Sequence, residues 1–287
     1  MRKALVLAAA LVASPAAADD WRGDGKLVLT DGITSVDGAA GGGIATWAVI
    51  AGNETERGVG ATAHASHVAL PDLDLEAYGF ALGLFDRVEF SYTRQSFDTR
   101  DAGAALGLGS GFTFGQDVFG AKLRLFGDAV WDQDRVLPQV SAGVQHKRAN
   151  RGAVIRAVGG ARASGTDFYV SATKLLLDHS LLLDATLRLT AANQWGLLGH
   201  GGDKGRDRTV QFEGSAALLV TRKLALGAEY RTKPDRLSFA EEDEAYDLFA
   251  AWSVHRHATL TAAYADLGDI ATVENQRGLF VQLQAGF

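Results

Sequence analysis

The last ten residues of the chain alternate between two kinds of side chain without a break. On one side lie Leu279, Val281, Leu283, Ala285 and Phe287, and on the other lie Phe280, Gln282, Gln284 and Gly286. A repeat of two is the side-chain period of a β-strand, whose successive residues point to opposite faces. The sequence therefore predicts a terminal strand with one wholly apolar face.

The amino terminus predicts export from the cytoplasm. A basic start is followed by an apolar run from Ala4 to Ala13 and by the small residues Ala16 to Ala18. This order is typical of a secretory signal peptide, here residues 1–18, with Asp19 as the first mature residue. The run is much shorter than the ~20 apolar residues that a transmembrane helix needs.

A signal peptide combined with a terminal strand that ends in Phe resembles the outer-membrane β-barrel proteins. We therefore expect one all-β domain over residues 19–287, a transmembrane antiparallel up-and-down β-barrel in the cell outer membrane of a Gram-negative bacterium. Phe287 would present the signal that the barrel assembly machinery reads. We expect a monomer in contact with outer-membrane lipid and lipopolysaccharide.

Composition excludes several classes of function. The chain has no Cys, so disulfide frameworks, thiol catalysis and thiolate metal sites are excluded. Its formal net charge of -6 argues against nucleic acid as a partner. No motif predicts a metal or a cofactor, so we expect neither, and catalysis is not the leading interpretation.

The number of strands must be even if both ends of the barrel domain face the periplasm. Counting both Lys26 to Val36 and Ile44 to Gly52 as strands gives 14, which is the interpretation we favour. The alternative is 12 strands with an N-terminal plug or lead-in. That segment covers residues 19–43 or, in its fullest form, the whole stretch from Asp19 to Gly52.

Long polar connections alternate with short turns, and we expect the long ones to be extracellular. They are Thr99 to Gly115, Ala149 to Thr166, Gln194 to Arg208, Thr232 to Glu244 and Leu267 to Arg277. The first of them is rich in apolar residues, so we expect it to fold over the mouth of the barrel. Trp47, Trp131, Trp195 and Trp252 are interpreted as interfacial girdle aromatics.

Charged residues of both signs occupy strand positions that alternation directs into the lumen. They are Glu89, Lys122, Arg124, Asp184, Arg188, Glu213, Glu229, Arg231 and Asp247. Around open water they would form the constriction of a channel. Paired across a narrow lumen, they would instead form a salt-bridge plug. The leading hypothesis is a passive or gated channel for small polar or amphipathic solutes, with the solute itself unknown.

Two hypotheses of other classes stay open. His64 and Ser66 lie two apart on one strand, in a spacing that resembles the dyad of outer-membrane phospholipase and lipid A deacylase barrels. They are the candidate catalytic residues of a lipid or ester hydrolase. A structural envelope barrel that transports nothing is the third hypothesis.

The glycine-rich stretch Gly38 to Gly43 has two interpretations. Consecutive amides without side chains can form a nest for an anion. The stretch lacks the Lys followed by Ser or Thr of a P-loop, so nucleotide binding is not favoured. A close approach of this segment to the barrel wall is the preferred interpretation.

Three stretches resemble an uncharacterised proteobacterial family, the domain of unknown function 3034. They are Val36 to Gly43, Arg124 to Arg135 and Leu283 to Phe287. The resemblance runs through the whole mature chain and implies an outer-membrane barrel. It implies no activity, ligand or catalytic residue.

Overall fold

The computed structural model describes residues 25–287, and the predicted signal peptide lies outside them. The described chain forms a closed antiparallel barrel of 12 strands. These are β3 (Val59–Ala69), β4 (Asp74–Leu84), β5 (Val88–Asp98), β6 (Thr113–Phe126), β7 (Gln139–Ala149), β8 (Ser164–Leu176), β9 (Leu181–Thr190), β10 (Thr209–Thr221), β11 (Leu224–Arg231), β12 (Ala245–His255), β13 (Ala258–Asp266) and β14 (Arg277–Gly286). Two short strands, β1 (Ile33–Thr34) and β2 (Ala40–Gly41), precede them and pair with each other.

Each barrel strand pairs with the next in sequence, and the last pairs with the first. Leu283 of β14 faces Ala65 of β3 in this closing pair. The backbone of Phe287 extends the seam, because its amide donates to Ala61 O at 2.8 Å and its carbonyl accepts from Ala61 N at 3.0 Å. The expected all-β up-and-down barrel is confirmed, and closure leaves no unpaired edge.

The two faces of each strand have opposite chemistry. On β14, Leu279 is 54% exposed on the outer surface, whereas Phe280 points inward and is 2% exposed. The same contrast holds on β9, where Leu187 lies outside and Arg188 is buried within. An apolar exterior around a polar interior suits a wall whose outer face meets hydrocarbon.

The favoured count of 14 strands is wrong, and the alternative of 12 is correct. The two extra segments, Lys26 to Val36 and Ile44 to Gly52, do not join the wall. Both contribute to a stretch, residues 29–52, in which every residue is buried. Short apolar runs that are buried on all sides resemble strands in sequence, so periodicity could not separate them from the wall.

Residues 29–52, called the luminal segment from here on, occupy the inside of the barrel. Thr34 Oγ1 donates to Gln284 on β14 at 2.9 Å. Further along, the amide of Ala48 donates to Thr173 Oγ1 on β8 at 2.7 Å. Strands β8 and β14 lie far apart in the strand order. The segment therefore reaches across the lumen.

Two short helices lie in the connections opposite the chain termini. They are α1 (Ala102–Ala105), between β5 and β6, and α2 (Gly152–Ala157), between β7 and β8. Among the described residues, no helix is long and apolar enough to cross a membrane.

The girdle interpretation is wrong for two tryptophans. Trp131 and Trp252 lie on the outer surface at 63% and 52% exposure. Trp47 is buried in the luminal segment, and Trp195 is buried in the connection after β9. Both indoles therefore pack inside the barrel. The sequence does not distinguish such a buried tryptophan from one at the membrane interface.

Candidate functional site

The nine inward-facing charges predicted from alternation are all buried inside the barrel. Most of them contact the luminal segment rather than open water. Glu89 accepts hydrogen bonds from Ala51 N at 2.9 Å and Ala40 N at 3.3 Å. It also pairs with Lys122 at 3.0 Å, and Lys122 Nζ donates to Val49 O at 2.6 Å. This wall pair clamps two stretches of the segment together.

Glu229 is the anion around which the glycine-rich stretch folds. Its Oε2 accepts from Ile44 N at 2.8 Å, and its Oε1 accepts from Ser215 Oγ at 2.7 Å. A Cβ added to Gly42 would stand 2.6 Å from Oε2 and closer still to Oε1. Asp247, the cross-strand partner of Glu229, lies beside Gly43. The structure therefore contains the expected close approach of the glycine-rich stretch to the barrel wall.

A network of alternating charges holds the middle of the lumen. Asp37 of the luminal segment pairs with Arg231 at 2.8 Å and with Lys147 at 3.1 Å. Arg188 pairs with Glu213, and Glu213 accepts from the amide of Thr46 at 2.8 Å. Every charge in this network has an opposite charge beside it, as buried ions require.

Three members of this network were not among the predicted site residues: Asp37, Lys147 and Asp167. Lys147 lies 3.4 Å from Asp167, and neither is exposed. The side chains of Lys147 and Asp167 point inward, as the alternation of β7 and β8 requires. Applying that alternation to every residue of the two strands would have predicted both. Asp37 is on no barrel strand, and periodicity carries no signal for it.

Arg124 does not join the other predicted charges. It pairs with Asp86 and, at 2.9 Å, with Asp128, at the end of the barrel where β4 turns into β5. Its Nε also donates to Gly127 O at 2.9 Å. Asp184 stays in the lumen, where it accepts from Thr173 Oγ1 at 2.5 Å. Arg124 therefore braces a turn rather than lining a constriction.

His64 and Ser66 both point inward, but the structure does not join them. Ser66 Oγ donates to Ala77 O on the neighbouring strand at 3.3 Å. His64 Nε2 lies 3.5 Å from Thr93 Oγ1, and its Nδ1 has no partner among the described residues. A serine nucleophile needs the imidazole within reach of its hydroxyl. Nothing in this geometry favours the hydrolase hypothesis.

Glu54 and Lys26 fasten the luminal segment at the end nearest the chain termini. Lys26 Nζ lies 3.6 Å from Glu54 and 2.9 Å from Asp86. Burial raises the pKa of the Glu54 carboxyl to about 8, although Lys26 opposes the shift. Neither carboxylate oxygen of Glu54 accepts a hydrogen bond from a described residue.

At the opposite end, an apolar cavity of about 250 Å³ lies beneath the long connections. Its walls come from strand ends and from all five of the long connections, one of which contributes α2. The apolar lining includes Leu73, Phe97, Leu106, Phe114, Val154, Leu198, Phe239 and Ile270. The polar residues among its lining are few: Thr99, Gln194 and Lys233. The connection from Thr99 to Gly115 lines this cavity, as expected of a loop that folds over the mouth.

A small polar cluster closes one side of the cavity. Gln194 Nε2 donates to Glu242 Oε2 at 2.6 Å and to Asp269 O at 3.3 Å. Lys233 Nζ lies 3.6 Å from Glu242 and donates to Leu267 O at 2.9 Å. Burial raises the pKa of the Glu242 carboxyl to about 7, with Lys233 acting against the shift.

The family model for proteins of unknown function DUF3034 matches residues 30–284, which include the luminal segment and almost all of the barrel. The chain belongs to the DUF3034 family. No curated protein matches its sequence. The luminal segment lies within the matched range from its second residue onward, so it is part of the DUF3034 domain.

The DUF3034 barrel shares its fold with solved outer-membrane porins. The KdgM porin matches at 8% identity and a TM-score of 0.52, over 79% of this chain and 99% of that one. The NanC porin matches at 10% identity and a TM-score of 0.51, over 79% and 98%. At such identities the likeness shows the fold alone, which is that of an outer-membrane β-barrel.

Proposed function

We propose that this protein is a gated outer-membrane channel for small amphipathic solutes and that the luminal segment is its gate. The observation that carries this proposal is the contact of residues 29–52 with opposite walls of the barrel. A lumen filled in this way is closed to solutes. Passage then requires the segment to move, so a gated channel fits better than a passive one.

The contacts between the luminal segment and the barrel wall are of a kind that allows the segment to leave the lumen. Within the luminal segment, the only strands are the two-residue β1 and β2, and side chains of the wall hold much of the rest. Each such hydrogen bond can be exchanged for one to water at a net cost of roughly 0.5–3 kcal/mol, the upper values applying to charged partners. The segment is therefore held by many individually replaceable contacts.

The wall keeps most of its own pairing if the segment moves. Lys122 retains Glu89, and Arg188 retains Glu213, because both pairs join residues of the wall. When the segment moves, Asp37 is the one charged residue that leaves the central network. The vacated lumen would carry charges of both signs on neighbouring strands, which orient polar groups of a passing solute.

Related proposals follow from the fold. We place the chain termini at the periplasmic side and the apolar cavity at the extracellular side, as in barrels whose long loops face outward. Export by residues 1–18, assembly through Phe287, contact with lipopolysaccharide and a monomeric state complete the proposed setting. Detergent extraction of separated membranes, followed by mass measurement of the particle, tests location and monomeric state together.

The test of the gate is a substitution that pushes the segment off the wall. Gly42→Ala places a Cβ against the Glu229 carboxylate, so the segment and this carboxylate must separate, which breaks the contact of Glu229 with the amide of Ile44. We expect the purified variant to give conductance steps in a planar bilayer where the unaltered protein is silent. Gly286→Ala is the matched control, since its Cβ would meet nothing closer than 3.7 Å. A silent Gly42→Ala barrel whose luminal amides exchange with solvent would overturn the proposal.

A further inference from the structure

The apolar cavity at the loop end is a partly enclosed pocket between the loops rather than a flat surface. Side chains from five long connections, and from the short one between β3 and β4, converge on it, and most of them are aliphatic or aromatic. Water in such a pocket finds few polar partners on the walls, so its replacement by an apolar molecule is favourable. An apolar molecule is therefore the occupant that the walls favour.

The size of the cavity limits that molecule. An apolar cavity of about 150 Å³ accepts benzene. The volume here is about 250 Å³. A single ring with substituents, or a compact bicyclic skeleton, fits this space.

Two residues of the lining each keep one polar atom without a hydrogen-bond partner among the described residues: Trp195 at Nε1 and Gln194 at Oε1. The amide nitrogen of Gln194 donates to Glu242 and to Asp269 O, which orients the side chain. Turning the amide around would set its oxygen against a carboxylate, so the network fixes the assignment. No described residue donates to the remaining atom, Gln194 Oε1. That oxygen can accept one hydrogen bond from a hydroxyl.

We propose that the cavity binds a compact apolar molecule bearing one hydroxyl group, such as a simple phenol or alicyclic alcohol. The apolar body lies among the leucines and phenylalanines, and the hydroxyl donates to Gln194 Oε1. The inference that this molecule is the transported solute rests on the proposed channel. The inference that the cavity is a binding site rests on the cavity alone.

Trp195 connects this site to the luminal segment. It lines the cavity, and its carbonyl accepts from Lys147 Nζ at 2.9 Å. Lys147 and Arg231 both bind Asp37 of the segment. The guanidinium carbon of Arg231 also lies 4.7 Å from the centre of the Trp195 ring. An occupant of the cavity thus touches a residue that holds the groups fastening the gate.

Fluorine NMR of 4-fluorophenol with the folded protein tests the site, because it separates a bound resonance from probe dissolved in detergent. We expect a saturable bound resonance with the unaltered chain. Ala102→Phe fills the cavity and should abolish it. Ala228→Phe makes the same change on the outer face of β11 and should retain it. No saturable resonance, or one that survives Ala102→Phe, would overturn the site.

A second probe tests the hydroxyl. 4-Fluorotoluene lacks the donor, so we expect it to bind about tenfold more weakly, in line with one lost hydrogen bond. In Gln194→Leu the two probes should bind alike. Equal affinities for the unaltered chain would discard the role of Gln194. Both NMR experiments measure binding with the luminal segment in place and involve no conductance. Their results therefore do not decide whether the luminal segment is a gate.

Discussion

Asp37 Oδ2 lies 2.8 Å from the Arg231 guanidinium, which joins the luminal segment to the barrel wall by a fully buried ion pair. The same oxygen lies 3.1 Å from Lys147 Nζ. Lys147, Arg188 and Arg231 face Asp167 and Glu213 from the wall, so Asp37 supplies the third negative charge. The segment therefore completes the charge balance of this network.

Asp37→Asn should loosen the luminal segment without unfolding the barrel. Lys147 and Arg231 keep Asp167 and Glu213 as partners, so we expect a loss of about 2 kcal/mol in the stability of the segment. That loss corresponds to roughly thirtyfold faster amide hydrogen exchange over residues 29–52. Mass spectrometry of exchanged peptides gives this rate directly.

Asp117→Asn is the control for that measurement. Asp117 pairs with Arg94 at 2.9 Å, but both side chains are more than a quarter exposed. A surface pair contributes about 0–1 kcal/mol, so exchange of the segment should stay unchanged. Equal protection in Asp37→Asn and Asp117→Asn would show that Asp37 does not fasten the segment.

The stability of the barrel should fall as pH rises through the pKa of Glu54. Burial raises this pKa from 4.5 to about 8, against the opposing charge of Lys26 and with Asp86 and Asp31 also facing the group. The folded state therefore holds a proton that the unfolded state releases between these values. Stability gained from this proton is full below pH 4.5 and disappears as the pH passes 8.

Glu54→Gln should remove that dependence, because the amide is neutral at every pH. The measurement is the urea midpoint of unfolding at pH 5, 7 and 9. Glu76→Gln serves for comparison, since the Glu76 side chain is 56% exposed. If the midpoint falls with pH equally in Glu54→Gln and in the unaltered chain, another group is responsible.

Arg188→Gln should make the opened channel more selective for cations. Arg188 is buried beside Glu213, whereas Arg94→Gln removes an equal charge from a partly exposed pair between β5 and β6. In a Gly42→Ala background, the reversal potential in a salt gradient should move toward the cation value only for Arg188→Gln. Equal reversal potentials in the two variants would exclude Arg188 from the solute path.

Alternation along the chain predicted the wall well, because each strand has an apolar outer face and an inner face that contacts polar groups. The inward direction of Glu89, Arg188 and Glu229 followed from this periodicity alone. What occupies the lumen was not predictable in the same way. Ile44 to Gly52 is buried on all sides, so no contrast between two faces distinguishes it from a strand.

The candidate cavity also lay beyond single-sequence reasoning. Trp195 and Gln194 belong to a connection that looks polar and solvent-exposed in sequence. Both have positive φ angles, 56° and 43°, which non-glycine residues rarely adopt. Hydrogen bonds to the Trp195 carbonyl from Lys147 and Gln116, and from Gln194 to Glu242, stabilise this backbone. Contacts between such distant parts of the chain have no local signature.

The most direct test of the account is a reversible covalent lock on the luminal segment. The chain has no Cys, and a Cβ at Gly38 would stand 3.0 Å from the Cβ of Thr93. Because Gly38 has a φ of +91°, Gly38→Cys with Thr93→Cys forms a disulfide once the backbone at Gly38 relaxes to accept a side chain. Both changes are combined with Gly42→Ala, and single channels are recorded before and after a reductant is added. We predict silence in the oxidised protein and conductance steps after reduction, with each single-cysteine variant conducting throughout. Steps of equal size and frequency in the fully oxidised protein would contradict a gate formed by residues 29–52.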